Sequence, residues 1–275
     1  MMTVEELIVY GKKFVHSHHA KMLLADLLEM NPLELLNYLD KTVNEEIINK
    51  YKSKIESMKE NKPIQYVIGN VNFYGNQFLV NENVLIPRFE TEELVENTLN
   101  YIKEIFETDS LKIIDLGTGT GCIGLTLKKN LPNSDITLVD ISKSALAVAK
   151  KNMENLNLQV TLLESDFFDK VTDKYDVIIS NPPYIKTKEK IEEIVEKNEP
   201  HLALYAGEDG LDCYRKILKN IPCYLETSYL IAFEIGETQS NEIQTLIKEV
   251  LPNATIISKK DMQGRDRMIF VYEKK

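Results

Sequence analysis

Two groups of residues in this sequence have the types and spacing that chemistry at a nitrogen atom requires. The first is Asn181-Pro182-Pro183-Tyr184, which directly follows the apolar run YDVIIS. The asparagine side-chain oxygen and the Pro182 carbonyl can accept hydrogen bonds from both hydrogens of a planar NH₂ group, and the prolines hold these acceptors rigidly. Tyr184 can stack on the flat face of that group. The alternative is a rigid turn that only ends a strand.

This arrangement suits the transfer of a methyl group to the nitrogen of an amide or an aryl amine. The lone pair of such a nitrogen is delocalised, so two oriented acceptors favour its move towards tetrahedral geometry. The proton can leave late, and no strong base is needed beforehand. The sequence shows no obvious catalytic His or Cys, which agrees with this chemistry.

The second group is the glycine-rich turn DLGTGTG, which lies between a strand-like run and the start of a helix. Glycines at residues 117, 119 and 121 let the backbone approach a ligand closely. Gly119, Gly121 and Gly124 also satisfy the dinucleotide pattern G-x-G-x-x-G, which is weak evidence by itself. Asp140 ends the next strand, where a carboxylate can accept hydrogen bonds from both hydroxyls of a ribose. We therefore expect a cofactor that contains adenosine.

One further residue favours S-adenosylmethionine over NAD, and two more suit the adenine ring that both cofactors contain. Asp115, just before the first glycine, would repel a pyrophosphate and would suit a cationic amino group and sulfonium. Asp166 closes the run VTLLESD, where it can meet an adenine amino group, and Phe167 can pack on the adenine ring. The alternative for Asp166 is a helix N-cap. No G-K-[ST] follows the loop, which argues against a Walker-type phosphate site.

The elements that must position these residues alternate between strands and helices. The strand-like runs are KIIDLG, ITLVD, QVTLLESD, YDVIIS and YLIAFEIG. This alternation predicts a parallel, doubly wound α/β sheet, whose ligand crevice lies beyond the carboxyl ends of the strands. The runs ATIISKK and RMIFVYE, joined by DMQGRD, predict a hairpin, so one edge strand should run antiparallel.

The chain divides into three predicted parts. Residues 1–72 carry four short runs with helical periodicity, the third beginning at Asn31 and Pro32, and predict a small helical domain that docks the substrate. The alternative is a packing appendage. Residues 73–90 are rich in β-forming residues and predict a β-hairpin connector. Residues 91–275 predict the methyltransferase domain.

Composition excludes several classes of function. The net charge of -10 opposes a protein that grips nucleic acid through its phosphates or binds a membrane surface. The three cysteines lack C-x-x-C spacing, and the N-terminus lacks the apolar run of a secretory signal, so we expect a cytoplasmic protein. His16, His18 and His19 cluster without suitable partners, so we expect no metal ion.

The motifs together resemble a known family. DLGTGTG, NPPYI and VLIPRFETEELVE, with QYVIGNVNFYGNQFLV, EPHLALYAGEDGLDCYR, FEIGETQ and GRDRMI, are similar to the glutamine methyltransferases of peptide chain release factors, the HemK/PrmC family. The resemblance implies a seven-stranded class I S-adenosylmethionine-dependent methyltransferase fold with an N-terminal helical domain. It implies methylation of the glutamine in the Gly-Gly-Gln motif of class I release factors. We also expect a monomer.

The predicted site residues follow from these motifs. The predicted cofactor contacts are Gly117, Thr118, Gly119, Thr120, Gly121, Asp140, Asp166, Phe167 and Asn181. The predicted catalytic residues are Asn181, Pro182 and Tyr184. The predicted substrate contacts are Asn181, Pro182, Pro183, Tyr184, Arg88 and Glu90. The family usually has a second Pro where this chain has Phe89, and the alternative for Arg88 and Glu90 is an ion pair at the start of a helix.

Four other functions remain open on the sequence alone. A glutamine methyltransferase of a ribosomal protein differs from the main prediction only in its substrate. An adenine-N6 nucleic-acid methyltransferase shares the NPPY motif, although the net charge argues against it. A non-catalytic adaptor would not need the intact set of Asn181, Pro182 and Tyr184. An NAD-dependent oxidoreductase rests on the glycine pattern alone.

Overall fold

The computed structural model describes residues 1–58 and 61–275. The chain forms two compact units, one of Met1–Asn70 with Glu192–Asn198, the other of Val71–Ile191 with Glu199–Lys275. The predicted connector at residues 73–90 therefore groups with the larger unit, and the short segment Glu192–Asn198 groups with the smaller one.

The smaller unit consists mainly of short helices. Its elements are β1 (Met2–Thr3), α1 (Val4–Gly11), α2 (Ser17–Leu27), a 3₁₀ turn (Glu34–Tyr38), β2 (Thr42–Val43), α3 (Glu45–Met58) and α4 (Ile64–Ile68). Thr3 and Glu6 form a reciprocal cap at the start of α1, with bonds of 3.2 and 2.8 Å. Leu7, Leu24 and Ile55 bury their side chains in a common core.

The smaller unit differs from its prediction in two places. The run that begins at Asn31 forms the 3₁₀ turn, because the Asn31 side-chain oxygen accepts the Leu33 N–H at 2.8 Å in a tight turn of its own. Strands β1 and β2 pair antiparallel in a region where no strand is predicted. The last two residues of the predicted fourth helix, 59 and 60, lie outside the described residues.

The larger unit begins with a β-hairpin, after which strands alternate with helices. Its hairpin and the elements after it are β3 (Asn70–Phe73), β4 (Asn76–Leu79), α5 (Phe89–Ile105), β5 (Lys112–Leu116), α6 (Cys122–Asn130), β6 (Asp135–Asp140), α7 (Lys143–Asn155), β7 (Thr161–Glu164) and β8 (Tyr175–Ser180). Then come α8 (Glu193–Asn198) of the smaller unit, 3₁₀ turns at His201–Ala203 and Ile221–Tyr224, α9 (Asp212–Asn220), β9 (Leu225–Glu234), α10 (Ser240–Val250), β10 (Thr255–Lys260) and β11 (Asp266–Glu273).

Seven strands form one sheet in the order β10-β11-β9-β8-β5-β6-β7. The pairs among β9, β8, β5, β6 and β7 are parallel. Strand β11 runs antiparallel to both β9 and β10. The C-terminal hairpin of β10 and β11 therefore forms the end of the sheet next to β9. The predicted doubly wound sheet with its antiparallel hairpin is confirmed.

Both faces of the sheet are buried. Alternate residues of β5 point to opposite sides, Ile113 into a core with α5, α6 and α7, and Ile114 into a core with α9 and α10. Apolar residues at successive positions of a strand therefore all find a partner, which explains the continuous apolar runs in the sequence.

The register of the strands brings their carboxyl ends to one edge. Leu116 of β5 lies opposite Val139 of β6 and Ser180 of β8. Ser180 also donates a hydrogen bond of 2.6 Å to the Leu116 carbonyl oxygen, which ties two strand ends together. The loops that follow these strands therefore begin side by side, as a binding crevice requires.

Residues 1–58 and 61–275 contain neither a candidate membrane-spanning helix nor a candidate metal site. No helix there is long and apolar enough to cross a membrane. No group of three or more His, Cys, Asp or Glu side chains there has the arrangement of a metal site. All three cysteines are free thiols.

Candidate active site

A cavity of about 320 Å³ opens where the loops after β5, β6, β7 and β8 meet. This size lies at the lower end of the range for small-molecule sites. Seven of the predicted site residues line it, namely Gly117, Gly119, Asp140, Asp166, Phe167, Asn181 and Pro183. The edge of the parallel sheet thus brings together residues from four loops.

The glycine loop presents backbone to this cavity. Gly117 and Gly119 have φ of +74° and +54°, and a Cβ on either would project into open space. The loop is held from behind, since the N–H groups of Gly117 and Thr118 both donate to the Val139 carbonyl at 2.9 Å. A ligand can therefore approach the loop backbone without meeting a side chain.

Asp140 closes the loop at the end of β6. Its two carboxylate oxygens accept the backbone N–H groups of Gly119 and Ser142, each at 2.8 Å. Burial raises the pKa of this carboxyl group, and the backbone hydrogen bonds oppose that rise. Each oxygen retains a lone pair for a ligand hydroxyl, as the ribose prediction requires.

Asp115 does not reach the cavity, contrary to the role expected for it. Its side chain is fully buried, and one oxygen accepts the Thr118 hydroxyl at 2.6 Å and the Gly124 N–H at 3.1 Å. Burial raises its pKa to about 7. Its other oxygen is buried without a hydrogen-bond partner among the described residues. Asp115 therefore braces the glycine loop against the start of α6.

Asp166 and Phe167 line the cavity after β7. Asp166 forms an ion pair with Lys216 of α9, which also lines the cavity, and it does not cap a helix. Phe167 has a φ of +49°, a left-handed conformation that a bulky side chain rarely adopts. Such strain is typical of functional sites, and here the turn places Phe167 against the ligand space.

The loop at residues 181–184 is held at several points. Asn181 donates from Nδ2 to the Thr91 hydroxyl at 3.2 Å. The Gln239 side chain donates to the Tyr184 carbonyl at 2.9 Å, and Ile185 N–H donates to the Leu204 carbonyl at 2.9 Å. Tyr184 is half-buried, and burial raises its hydroxyl pKa above the usual range. The tetrapeptide is therefore a braced loop directly beside the cavity.

Glu234, at the end of β9, supports this loop through Thr91. It is not among the predicted site residues. It is buried and accepts the Thr91 hydroxyl at 2.7 Å. Burial raises its pKa to about 7, while hydrogen bonds from Thr91 and Asn181 and the charge of Arg267 oppose the rise. A carboxylate directly after the apolar run YLIAF was the available signal.

Several predicted residues lie away from the cavity wall. Thr118 and Thr120 are buried, and Gly121 is the N-cap of α6. The Thr120 hydroxyl accepts the Cys122 N–H, so the threonines shape the loop. Pro182 is buried, while Pro183 faces the cavity.

Arg88 and Glu90 also stay outside the cavity wall. Arg88 pairs with the buried carboxylate of Glu199, and Glu90 pairs with Arg265 at 2.9 Å. Both are ion pairs near the start of α5, but neither pair joins Arg88 to Glu90. The charges hold α5 to the segments around Glu199 and Arg265.

Several wall residues are not among the predicted site residues. Asn83, Val84 and Leu85 come from the segment before α5, and Leu202 comes from a 3₁₀ turn. Val84, Leu85 and Leu202 belong to motifs that carry the family resemblance, but their side chains have no reactive or hydrogen-bonding group that would mark them as site residues. Val84, Leu85 and Leu202 supply an apolar wall that an adenine ring or an alkyl chain would contact.

The cavity fits S-adenosylmethionine better than a dinucleotide. Its charged wall residues are Asp140, Asp166, Asp212 and Lys216, and the lysine already pairs with Asp166. The excess negative charge favours a cationic sulfonium and opposes a pyrophosphate. The exposed loop backbone and the Asp140 oxygens suit a ribose.

Two family models match the chain. Residues 76–204 match the methyltransferase small domain, and residues 16–69 match the PrmC N-terminal domain. The second match falls within the smaller unit of the structure. The first match lies mainly in the larger unit.

Solved structures support the fold class. A methyltransferase from Pyrococcus furiosus, 15% identical, covers 81% of this chain and 98% of its own with a TM-score of 0.53. The T. thermophilus 16S rRNA N2 G1207 methyltransferase, solved with AdoMet and guanosine, is 14% identical, with a TM-score of 0.54 over 74% of this chain and 50% of its own. At these identities the likeness concerns the fold alone.

Curated relatives are far more similar in sequence. The release factor glutamine methyltransferase of Streptococcus pneumoniae is 45% identical over 78% of this chain and 77% of its own. That of Bacillus cereus is 36% identical over 98% of this chain and 99% of its own. Because this likeness spans nearly the whole of both chains, the chain belongs to the release factor glutamine methyltransferase family.

Proposed function

We propose that this protein transfers a methyl group from S-adenosylmethionine to the side-chain amide nitrogen of the glutamine in the Gly-Gly-Gln motif of class I release factors. The observation that carries the proposal is the Asn181 amide at the cavity wall, with its NH₂ group turned to Thr91. Its oxygen is then left to accept a hydrogen bond from a substrate NH₂ group. Membership of the family supplies the release factor as the substrate.

The chain's own residues orient the substrate nitrogen. S-adenosylmethionine, when bound, supplies an electrophilic methyl group on a sulfonium. The Asn181 side-chain oxygen and the Pro182 carbonyl accept the two amide hydrogens and favour the pyramidal geometry of the attacking nitrogen. Tyr184 packs beside the amide plane. The proton leaves to solvent after the new bond forms, so no residue acts as a strong base.

The cofactor is held by residues on the opposite side of the same cavity. The loop backbone at Gly117 and Gly119 lies against it, and the Asp140 carboxylate accepts its ribose hydroxyls. Asp166 accepts from the adenine amino group through the oxygen that Lys216 does not occupy, and Phe167 packs on the ring.

The wider biological role follows from the substrate. A glutamine methyltransferase of release factors acts in translation termination, and its substrates are in the cytoplasm. We infer that residues 1–72 dock the release factor and that the protein works as a monomer, without binding nucleic acid or membrane directly. The net charge of -10 supports the last point.

The test is a methyl-transfer assay with labelled S-adenosylmethionine, a class I release factor, and its Gln→Ala variant at the Gly-Gly-Gln motif. We expect label on that glutamine, located by mass mapping, and none on the variant. Label on both proteins, or on neither, contradicts the proposal. Ribosomal proteins and adenine-containing nucleic acid, assayed in parallel, test the two other methyl acceptors that the NPPY motif allows.

A further inference from the structure

Three side chains from distant parts of the sequence form a hydrogen-bonded chain that ends at the cavity. Glu234 ends β9, Thr91 lies in the first turn of α5, and Asn181 follows β8. The Thr91 hydroxyl donates to Glu234 at 2.7 Å, and Asn181 Nδ2 donates to the Thr91 oxygen at 3.2 Å.

Burial raises the pKa of Glu234 to about 7, so its carboxyl group is mostly ionised above that pH. In the ionised form, the order of donors in this chain has only one solution. A carboxylate accepts and never donates, so the single Thr91 proton must go to Glu234. The Thr91 oxygen can then only accept, so the group facing it must be the Asn181 NH₂. The amide oxygen of Asn181 is thereby turned away from Thr91 and Glu234.

The chain is rigid at its inner end. Glu234 and Thr91 are each 2% exposed, so water does not compete for their hydrogen bonds. Thr91 stands on a helix whose buried residues, Leu94 among them, pack in the core beneath the sheet. Asn181 lines the cavity and is half-buried, so it is the member that can meet a ligand.

We propose that Glu234 and Thr91 are positioning residues that fix the Asn181 amide with its oxygen towards the substrate. The inference rests on the proposed function and deepens it, because it explains why the site takes a group that donates through NH₂. A glutamine amide offers that donor. A glutamate carboxylate in its place would meet the Asn181 oxygen as a second acceptor and be repelled.

We call the hydrogen-bonded chain from Glu234 through Thr91 to Asn181 the relay. Thr91→Val tests it, because valine keeps the shape of threonine and removes only the hydroxyl. Thr91→Ser restores the hydroxyl. Thr98→Val is the matched control, since Thr98 is buried on the same helix and its hydroxyl bonds only to the Leu94 carbonyl of its own helix, at 2.7 Å.

We expect Thr91→Val to lower kcat for the release factor by about 10- to 100-fold, the range known for outer partners of a positioned ligand. Thr91→Ser and Thr98→Val should stay close to the parent protein in kcat. The Kd of S-adenosylmethionine should not change in any variant, because the glycine loop and Asp140 are untouched. A kcat for Thr91→Val equal to that of Thr98→Val overturns the proposal.

A second readout is independent of the methylation reaction. In protein labelled with ¹⁵N-asparagine, Asn181→Ala identifies the Asn181 side-chain NH₂ resonance by its loss. Hydrogen exchange of that group should become about 10-fold faster in Thr91→Val, the ratio expected for one lost hydrogen bond, and should not change in Thr98→Val. Equal exchange in the two variants also overturns the relay. Absence of methylation by the parent protein would instead refute the proposed function, and the exchange result would still decide the relay.

Discussion

Replacement of Asn181 by alanine should separate catalysis from cofactor binding. The variant loses the oxygen that accepts from the substrate amide, while Gly117, Gly119 and Asp140 remain in the cavity wall. Loss of one preorganised hydrogen-bonding group from an active site raises the barrier by about 2.7–4 kcal/mol, so kcat should fall by about 10²–10³-fold. The Kd of S-adenosylmethionine should change by less than about fivefold, or roughly 1 kcal/mol.

The structure also sets the cost of this substitution in stability. Asn181 gives a hydrogen bond to Thr91, which is worth about 0.5–1.5 kcal/mol net. We therefore expect the free energy of unfolding to fall by about 0.5–1.5 kcal/mol, which lowers Tm by roughly 1–6 °C in a domain of this size. The folded fraction at the assay temperature stays high, so the loss of kcat does not come from unfolding.

The assay pairs single-turnover methyl transfer with calorimetric titration of S-adenosylmethionine and thermal unfolding. Asn133→Ala serves as the control, because Asn133 is exposed and bonds only to Asp109. Similar falls in kcat and in cofactor affinity in Asn181→Ala would refute the substrate role of Asn181. That result would mean that Asn181 mainly shapes the cofactor pocket.

Three further results are expected. Asp140→Ala should raise the Kd of S-adenosylmethionine by about 10- to 100-fold, the loss of one charged hydrogen bond, with a smaller effect on kcat at saturation; unchanged calorimetric affinity would contradict the ribose assignment. Burial raises the pKa of Glu234 from 4.5 to about 7. The folded state therefore holds this proton more tightly than the unfolded state, and stability falls as pH rises through that window. Between pH 5 and pH 8, Glu234→Gln should gain up to about 3 kcal/mol of unfolding free energy relative to the parent protein in urea titrations, and parallel pH curves would disprove the shift. Gly124→Ala should cost about 1–3 kcal/mol in the same titrations, because the new Cβ would lie 2.1 Å from the buried Leu138 Cδ2, and a neutral result would mean that this packing can relax.

Local patterns in the sequence were enough for the central parts of the site. The glycine loop and Asp140 lie a few residues after their own strands, and parallel strands bring those ends to one edge. The same rule placed Asn181 beside them, because NPPYI directly follows β8. These predictions depend only on strand periodicity and on the chemistry of each side chain.

Side-chain partners over long distances in sequence could not be predicted in the same way. The sequence places Asp115 where the glycine loop opens to the cofactor. In the structure, one Asp115 oxygen instead accepts a hydrogen bond from the Gly124 N–H of α6. The motif predicts substrate contacts for Arg88 and Glu90, but it does not predict their ion-pair partners, Glu199 and Arg265, which come from other segments.

The sequence by itself determined the order of strands and helices, the glycine loop and the acceptor groups of the NPPY motif, because each is encoded within a few neighbouring residues. The tertiary structure alone decided which way the Asn181 amide faces. Thr91 and Glu234 are 143 residues apart, and they meet only when α5 packs against β9. Periodicity and motif spacing describe backbone conformation, whereas the direction of a buried hydrogen bond depends on which donors and acceptors the folded chain brings within 3 Å or so of one another.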